Sequence, residues 1–204
     1  MQIYDKLYKE FGPRHWWPAD SDFEIIIGAI LTQNTSWVNV EKAIANLKKR
    51  NLLNPKKLYK INTKILAQLI KPSGYYNIKA KRLKSFAEFL FKNYNGSLKN
   101  MFSRPWQELR SQLLEVNGIG PETADSILLY AGNKPVFVVD AYTKRIFSRH
   151  NFVDPAAKYG ELQHIFMKNL PHDHKIFNEY HALIVELGKN ICKKKPGCRI
   201  CPIR

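Results

Sequence analysis

Apolar residues recur at helical spacing along nearly the whole chain of 204 residues, and this periodicity limits the fold more than any other feature. One clear case follows Ser21, which stands three residues before Glu24 in the pattern of a capping box. Only residues 135–139 resemble a strand, and no other segment could pair with them. The sequence therefore predicts an all-α fold of two helical lobes. The apolar face that follows Ser21 consists of Phe23, Ile26, Ile27, Ile30 and Leu31.

Basic residues outnumber acidic ones by 33 to 17, which gives a formal net charge of +16, while 45% of the residues are hydrophobic. This combination excludes a disordered chain and indicates a folded protein with a polyanionic partner. A membrane surface is disfavoured because no basic stretch has a one-sided apolar face, and the longest apolar run, residues 25–31, is far too short for a membrane span. No secretory segment opens the chain, so we expect a monomeric, cytoplasmic protein that binds nucleic acid.

Residues 113–131 have the pattern of two helices joined by a tight turn. Gly118 and Gly120 permit positive φ and a close approach of the backbone, and Pro121 suits the first turn of a helix. Backbone N–H groups at the start of the second helix would then face a phosphate oxygen. An ordinary hairpin of two helices has the same spacing, but the net charge of +16 favours a DNA-binding helix-hairpin-helix.

Asp140 follows the apolar segment 135–139 and directly precedes another predicted helix. An acidic residue at such a place is most often a helix N-cap. Capping and catalysis are compatible, because hydrogen bonds from helix N–H groups stabilise an ionised carboxylate, which in turn stabilises a positively charged sugar. Asp140 is therefore a predicted N-cap and a candidate catalytic group.

Two segments carry a specific resemblance, residues 118–124 (GIGPETA) and Val138-Val139-Asp140. They resemble the helix-hairpin-helix, Gly-Pro-Asp superfamily of DNA glycosylases of the endonuclease III type, and the match extends over nearly the whole chain. The segments most similar to the 3-methyladenine DNA glycosylase branch of this superfamily are residues 16–18, 28–35, 72–77 and 79–83.

The resemblance implies how the chain is divided and which residues act. It implies a six-helix barrel at residues 21–132, which contains the hairpin, and a second lobe formed by residues 1–20 and 133–204. It also implies that Asp140 is the catalytic carboxylate and that Gln33 fills the gap left by a nucleotide flipped out of double-stranded DNA. The other residues expected to contact DNA are Gly118, Gly120, Glu122, Thr123, Lys144 and Lys189.

The chain departs from the bifunctional members of the superfamily at Glu122, where they carry the lysine that forms a Schiff base. A glutamate cannot attack the sugar as an amine does, and its ordinary role is that of an acid in the first turn of a helix. We therefore predict a base-excision-repair glycosylase that hydrolyses the N-glycosidic bond of an N-alkylated purine without cutting the strand. The alternatives are an endonuclease III-like glycosylase and lyase for oxidised or mismatched bases, and a helix-hairpin-helix DNA-binding protein without catalysis.

A base pocket is predicted from Trp16, Trp17, Pro18 and Trp37, which match pocket residues of the 3-methyladenine branch. Tryptophan is usually part of a core, but the first three residues stand in a predicted loop and Trp37 follows the polar segment 32–35. An N-alkylated purine is a cation, and an indole face attracts a cation by up to about 2 kcal/mol when the site is desolvated. We expect these indoles to hold a flipped, positively charged base.

All 3 cysteines of the chain lie close together near residue 204, in the spacing Cys192-x5-Cys198-x2-Cys201. This loop at residues 192–201 resembles the iron–sulfur loop of the superfamily, whose fourth cysteine has no counterpart in these residues. A 4Fe–4S cluster requires four thiolates, so three would need an outside ligand. The alternatives are zinc with His172 or His174, and three thiols without a metal. The cluster is the favoured prediction, with a structural and DNA-contacting role.

Overall fold

The computed structural model describes all residues from Met1 to Arg204, and it consists of helices joined by irregular connections, without a strand. The all-α prediction is therefore confirmed. No helix combines the length and the hydropathy that a membrane span requires. The helices are α1 (Gln2–Phe11), α2 (Asp22–Leu31), α3 (Trp37–Lys49), α4 (Pro55–Lys60), α5 (Thr63–Leu69), α6 (Tyr76–Tyr94), α7 (Leu98–Phe102), α8 (Trp106–Leu114), α9 (Pro121–Ser126), α10 (Ala141–Arg149), α11 (Tyr159–Asn169) and α12 (His174–Asn190), with 3₁₀ turns at Lys71–Ser73 and Cys198–Ile200 and a π-helical segment at Ile127–Ala131.

The chain divides into two compact units. One unit comprises residues 19–132 and contains α2 to α9 together with the π-helical segment. The other comprises residues 1–18 and 133–204, and in it α1 packs against α12, which also packs against α10. Both ends of the chain therefore belong to the same unit. The six-helix barrel implied by the resemblance stays a prediction.

The start of α2 is held by hydrogen bonds on both sides of Ser21. The Ser21 hydroxyl accepts from the Glu24 backbone N–H at 3.2 Å, as in a capping box. The Glu24 carboxylate accepts from the Asp20 N–H at 3.1 Å and pairs with Lys48 at 2.7 Å. Glu24 is buried, and these partners offset the cost of burying its charge. The local sequence signal therefore marks the helix start correctly.

Residues 133–140 form a connection without regular structure, although residues 136–139 are buried. Side chains of α11 bind the backbone of this segment in place of a neighbouring strand. Gln163 donates to the Phe137 carbonyl at 2.7 Å, and the Phe137 N–H donates to the Met167 sulfur at 3.4 Å. The strand-like run is therefore a buried connection, and it ends at Asp140, directly before α10.

A buried lysine joins three elements of the unit at residues 19–132. Lys79 of α6 is 1% exposed, and its ammonium donates to the carbonyls of Leu31 at 2.8 Å and Ser73 at 2.6 Å. Leu31 ends α2, so the ammonium also opposes the negative end of that helix dipole. Burial lowers the pKa of Lys79 to about 8, and the Arg82 charge adds a smaller contribution.

The lowered pKa of Lys79 predicts a change of stability at alkaline pH. The unfolded chain keeps the proton up to a pKa of 10.5, whereas the folded chain releases it near 8. Between these values the unfolded state binds more protons, so the free energy of unfolding rises with pH, by at most about 3 kcal/mol. This contribution is lost again as the pH falls through 8. Urea denaturation should show the parent gaining stability relative to Lys79→Met over this range, and a constant difference would contradict the prediction.

Candidate functional site

Asp140 is the N-cap of α10, as the sequence predicts. Its Oδ1 atom accepts from the backbone N–H of Thr143 at 2.7 Å and from the Thr143 hydroxyl at 2.8 Å. Thr143 is fully buried, whereas the Asp140 side chain keeps 14% of its surface exposed. One carboxylate oxygen is therefore held by the helix, and the group remains accessible.

His181 of α12 faces the other oxygen of this carboxylate. Its Nε2 atom lies 3.7 Å from Oδ2 of Asp140, and its side chain is buried. Burial lowers the pKa of His181 and the Asp140 charge opposes that shift, so the imidazole is neutral near pH 7. Sequence reasoning alone does not single out His181. The only signal is a polar ring within the apolar stripe of α12, between Tyr180 and Ala182.

The helix-hairpin-helix consists of α8, a turn at residues 115–120, and α9 with its π-helical extension. Gly118 has a φ of +85°, and a Cβ atom there would overlap the Arg82 side chain, so both the backbone and the space require glycine. Gly120 has a φ of −92° and open space at its Cβ position. Of the two glycines, only Gly118 therefore uses the positive φ that glycine permits.

The contrast between the two glycines provides a matched pair of variants. Gly118→Ala places a Cβ against Arg82 at positive φ, which we expect to lower the free energy of unfolding by about 1–3 kcal/mol. Gly120→Ala adds its Cβ to open space, and we expect a change within about 0.5 kcal/mol. Urea denaturation of both variants measures the difference. Equal stabilities would contradict the backbone role assigned to Gly118.

The start of α9 is open to solvent. Gly120, Pro121 and Glu122 are exposed, and Thr123 is buried behind them. The N–H groups of a first helical turn carry the positive end of the peptide dipoles, which attracts phosphate oxygens. The contact of this end of the hairpin with a DNA backbone stays a prediction.

Gln33 is hydrogen-bonded to the hairpin from the turn that follows α2. Its Nε2 atom donates to the Gly118 carbonyl and to the Thr123 hydroxyl, both at 2.9 Å. Its Oε1 atom accepts from the Arg82 guanidinium. Both ends of the amide are thus occupied within the unit at residues 19–132. The role of Gln33 in DNA stays a prediction.

A buried ion pair joins α8 to α9. Arg110 donates from Nε to Oδ1 of Asp125 at 2.6 Å and from its second terminal nitrogen to Oδ2 at 3.0 Å. Asp125 is fully buried, so the bidentate pair is strongly shielded from water. Sequence reasoning alone does not identify this pair, because 15 positions separate the two residues and neither stands in a motif.

The predicted pocket residues are divided between the two units. Trp16 and Trp17 lie in the irregular segment after α1, are half-buried, and have ring centroids 5.6 Å apart. Pro18, next to them, is exposed. Trp37 begins α3 in the other unit, is half-buried, and donates from Nε1 to the Glu41 carboxylate at 2.9 Å. Trp16 and Trp17 therefore form one aromatic cluster, and their joint action with Trp37 stays a prediction.

Both lysines that are predicted to contact DNA are exposed. Lys144 in α10 donates to the Ala157 carbonyl at 2.9 Å, and Lys189 stands in the last turn of α12. Exposed ammonium groups suit phosphate contacts, which make the affinity for DNA depend on salt. The assignment of these two lysines to DNA stays a prediction.

The three cysteines do not come together as a set of metal ligands. Cys192 is buried, Cys198 is exposed and Cys201 is half-buried. No group of three or more His, Cys, Asp and Glu side chains is arranged to hold a metal ion. The Cys192 sulfur instead accepts from the Arg149 guanidinium at 3.3 Å. The 4Fe–4S cluster and the alternative of zinc with a histidine therefore stay predictions.

The fold and the site define a class of protein. The hairpin offers a helix N-terminus suited to DNA phosphates, and the capping carboxylate of Asp140 is accessible. An all-α chain with these two features has the parts of a helix-hairpin-helix DNA glycosylase.

Comparison with known proteins identifies the family. Residues 27–172 match the HhH-GPD superfamily of base excision DNA repair proteins, and the chain belongs to this family. It is 51% identical over 205 residues to a provisionally assigned DNA repair glycosylase of Methanocaldococcus jannaschii, with 100% of this chain and 93% of the relative covered. It is 30% identical over 201 residues to the endonuclease III of Thermotoga maritima, with 98% of this chain and 88% of the relative covered. The predicted superfamily and the predicted DNA glycosylase class are therefore confirmed.

Solved structures share this fold. The H. pylori 3-methyladenine DNA glycosylase bound to 1,N6-ethenoadenine has a TM-score of 0.82 at 33% identity, with 92% of this chain and 96% of that chain covered. An endonuclease III trapped as a covalent intermediate on DNA has a TM-score of 0.83 at 24% identity, with 98% of this chain and 92% of that chain covered. This second similarity shows the fold alone. The chain is a DNA glycosylase of base excision repair, and DNA is its partner.

Proposed function

We propose that this glycosylase removes N-alkylated purines, such as 3-methyladenine, from double-stranded DNA by hydrolysis and leaves the strand intact. The observation that carries the proposal is the Asp140 carboxylate, which is held at the start of α10 by Thr143 and is partly exposed. Such a group stabilises a positively charged sugar when the base leaves. The 33% identity to the H. pylori 3-methyladenine glycosylase supports the substrate class.

The proposed substrate is a flipped base that carries a positive charge. The bond between the sugar C1′ and the base nitrogen breaks, and its electron pair leaves with the base, which becomes neutral. The positive charge moves to the sugar, where the ionised Asp140 carboxylate stabilises the oxocarbenium ion. Water then adds to C1′, and the carboxylate accepts its proton. Because the base leaves as a neutral molecule, no general acid is required.

Glu122 supports a reaction that stops at the abasic site. It is exposed in the first turn of α9, at the position where the bifunctional enzymes that this chain resembles carry a lysine. A carboxylate cannot form a Schiff base with C1′, so no covalent imine links the protein to the DNA.

Recognition is proposed to combine aromatic faces with a positive surface. Trp16 and Trp17 offer adjacent indole rings, and Trp37 offers a third. Cation–π attraction favours an alkylated purine over its uncharged parent. The net charge of +16 and the exposed Lys144 and Lys189 support contacts with phosphates. The proposed complex is one monomer on a duplex that contains a damaged base.

A panel of duplex oligonucleotides tests this proposal. The duplexes share one sequence and contain 7-methylguanine, 1,N6-ethenoadenine, an oxidised pyrimidine, a G·T mismatch or no lesion, and methylated DNA supplies 3-methyladenine. Free base and strand cleavage are measured separately, with and without borohydride. We expect alkylated purines to be released while the strands stay intact until alkali is added.

Three results would contradict the proposal in different ways. Strand cleavage through a complex that borohydride traps would establish the lyase alternative. Release of only oxidised or mismatched bases would reject the alkylated purine as substrate. Binding of every duplex without release of any base would reject the catalytic role of Asp140 on these lesions.

A further inference from the structure

Two cations of α6 contact the residues that surround Gln33. Lys79 and Arg82 are three positions apart, so their side chains leave the same face of the helix. The Lys79 ammonium donates to the carbonyl of Leu31, two positions before Gln33. The Arg82 guanidinium donates to the Gln33 side chain, and the stem of the Arg82 side chain lies against Gly118. One face of α6 therefore contacts the main chain that leads to Gln33 and also the side-chain amide of Gln33.

The Lys79 contacts set the direction in which the chain leaves α2. The Lys79 ammonium donates to the carbonyls of Leu31 and Ser73 at the same time, and this fixes the distance between the two carbonyls. An apolar side chain of the same volume would bind neither carbonyl. The Ser73 end is itself anchored, because the Ser73 hydroxyl donates to the Ile70 carbonyl at 2.8 Å. The turn that carries Gln33 is therefore tied to a second, fixed turn.

The Arg82 contacts tie Gln33 to the hairpin. The Gln33 amide receives a bond from Arg82 and donates to the Gly118 carbonyl and the Thr123 hydroxyl. A shift of Gln33 would break bonds to the hairpin turn, and a shift of that turn would break bonds to Gln33. These contacts hold Gln33 and the hairpin at a defined separation within the unit at residues 19–132.

We propose that Lys79 and Arg82 form a positioning clamp, which holds Gln33 in register with the hairpin so that both act on the same DNA duplex. The inference rests on the proposed function, because it requires Gln33 to contact DNA beside the flipped base. Lys79 and Arg82 act through Gln33 and do not touch the base, so they are positioning residues.

A double-mutant cycle tests the clamp. The first cycle consists of Gln33→Ala, Arg82→Met and the double variant. A second cycle replaces Arg82→Met by Lys79→Met. Arg82 is half-buried, so the first cycle remains informative even where loss of the buried Lys79 impairs folding. The measurements are the single-turnover rate of base release at saturating protein and the affinity for a duplex with a stable abasic-site analogue.

We expect Gln33→Ala and Arg82→Met each to slow base release by about 10- to 100-fold at saturation, with a smaller effect on affinity. The combined variant should be no more than about threefold slower than the slower single variant, because both changes remove the same positioned group. Losses that multiply would overturn the clamp, since independent structural defects add in free energy. A parental rate in Arg82→Met would overturn it as well.

Lys92→Met is the matched control. Lys92 is exposed near the other end of α6, so the variant removes the same kind of charge from the same helix without touching the clamp. Its rate of base release should stay within about twofold of the parent. If Lys92→Met slowed base release as much as Arg82→Met does, the slower rate would follow from the loss of any positive charge on α6, and the clamp would be rejected.

Hydrogen exchange without DNA separates failure of the clamp from failure of the proposed function. Amides at residues 32–36 and 115–120 should exchange at least about tenfold faster in Arg82→Met than in Lys92→Met, because the bonds between these turns are weakened. This measurement does not depend on base release. Unchanged exchange would overturn the clamp even in an active enzyme, whereas faster exchange in a protein that releases no alkylated purine would reject the proposed function alone.

Discussion

Asp140→Asn is expected to bind an alkylated duplex with nearly the parental affinity and to release the base about a thousandfold more slowly. Asparagine caps a helix about as well as aspartate does, so the bonds with Thr143 and the stability of α10 are retained. The substitution removes the negative charge that stabilises the oxocarbenium ion. The measurements are the single-turnover rate at saturating protein and the affinity for a duplex with a stable abasic-site analogue.

Asp173→Asn is the matched control for this prediction. Asp173 is the N-cap of α12 and accepts from the Lys175 N–H at 2.7 Å, so the same chemical change is made at the same kind of position. We expect its rate of base release to stay within about twofold of the parent. If Asp140→Asn loses less than about tenfold in rate, Asp140 stabilises the transition state by less than about 1.4 kcal/mol, which is too little for the proposed catalytic role.

Asp125→Ala is expected to lower the free energy of unfolding by about 3–5 kcal/mol. The change removes the carboxylate that holds the Arg110 guanidinium between α8 and α9, and it leaves that charge in a largely desolvated place. A loss of this size is a large part of the stability of an ordinary domain. Urea denaturation measures it, and the affinity for undamaged duplex should fall with it, because the hairpin helices lose the bidentate ion pair that joins them.

Asp20→Ala provides the comparison for that loss. The Asp20 carboxylate pairs with Lys48 at 2.8 Å, but its side chain is 82% exposed. Water screens such a pair, so we expect its removal to cost less than about 1 kcal/mol. Similar small losses in Asp20→Ala and Asp125→Ala would show that burial does not strengthen the Arg110 pair.

Features that depend on neighbouring residues could be predicted from the sequence. The helical spacing of apolar residues indicates an all-α chain, and the serine three positions before Glu24 marks the start of α2. The cap at Asp140 was also predictable, because a carboxylate that precedes a helix reaches the N–H groups of its first turn. Each of these signals depends on a few adjacent positions, whose geometry is set by the helix itself.

Features that depend on distant residues could not be predicted. His181 meets Asp140 only because α12 packs against α10, and nothing in the spacing of the two residues shows this. The bonds between Gln33 and the hairpin cross 85 and 90 positions of the chain. The glycine motif likewise does not reveal which of its two glycines has positive φ.

The amino-acid sequence by itself determined the helical class of this protein, the hairpin, the capping aspartate at 140 and, through Glu122, the expectation of hydrolysis without a Schiff base. Only the tertiary structure decided that a neutral His181 lies beside the Asp140 carboxylate and that the hairpin holds the Gln33 amide. It also decided that the cysteines are not arranged as a group of metal ligands. Helix periodicity and capping act over a few residues. Burial and hydrogen bonds between separate helices arise only when the whole chain packs.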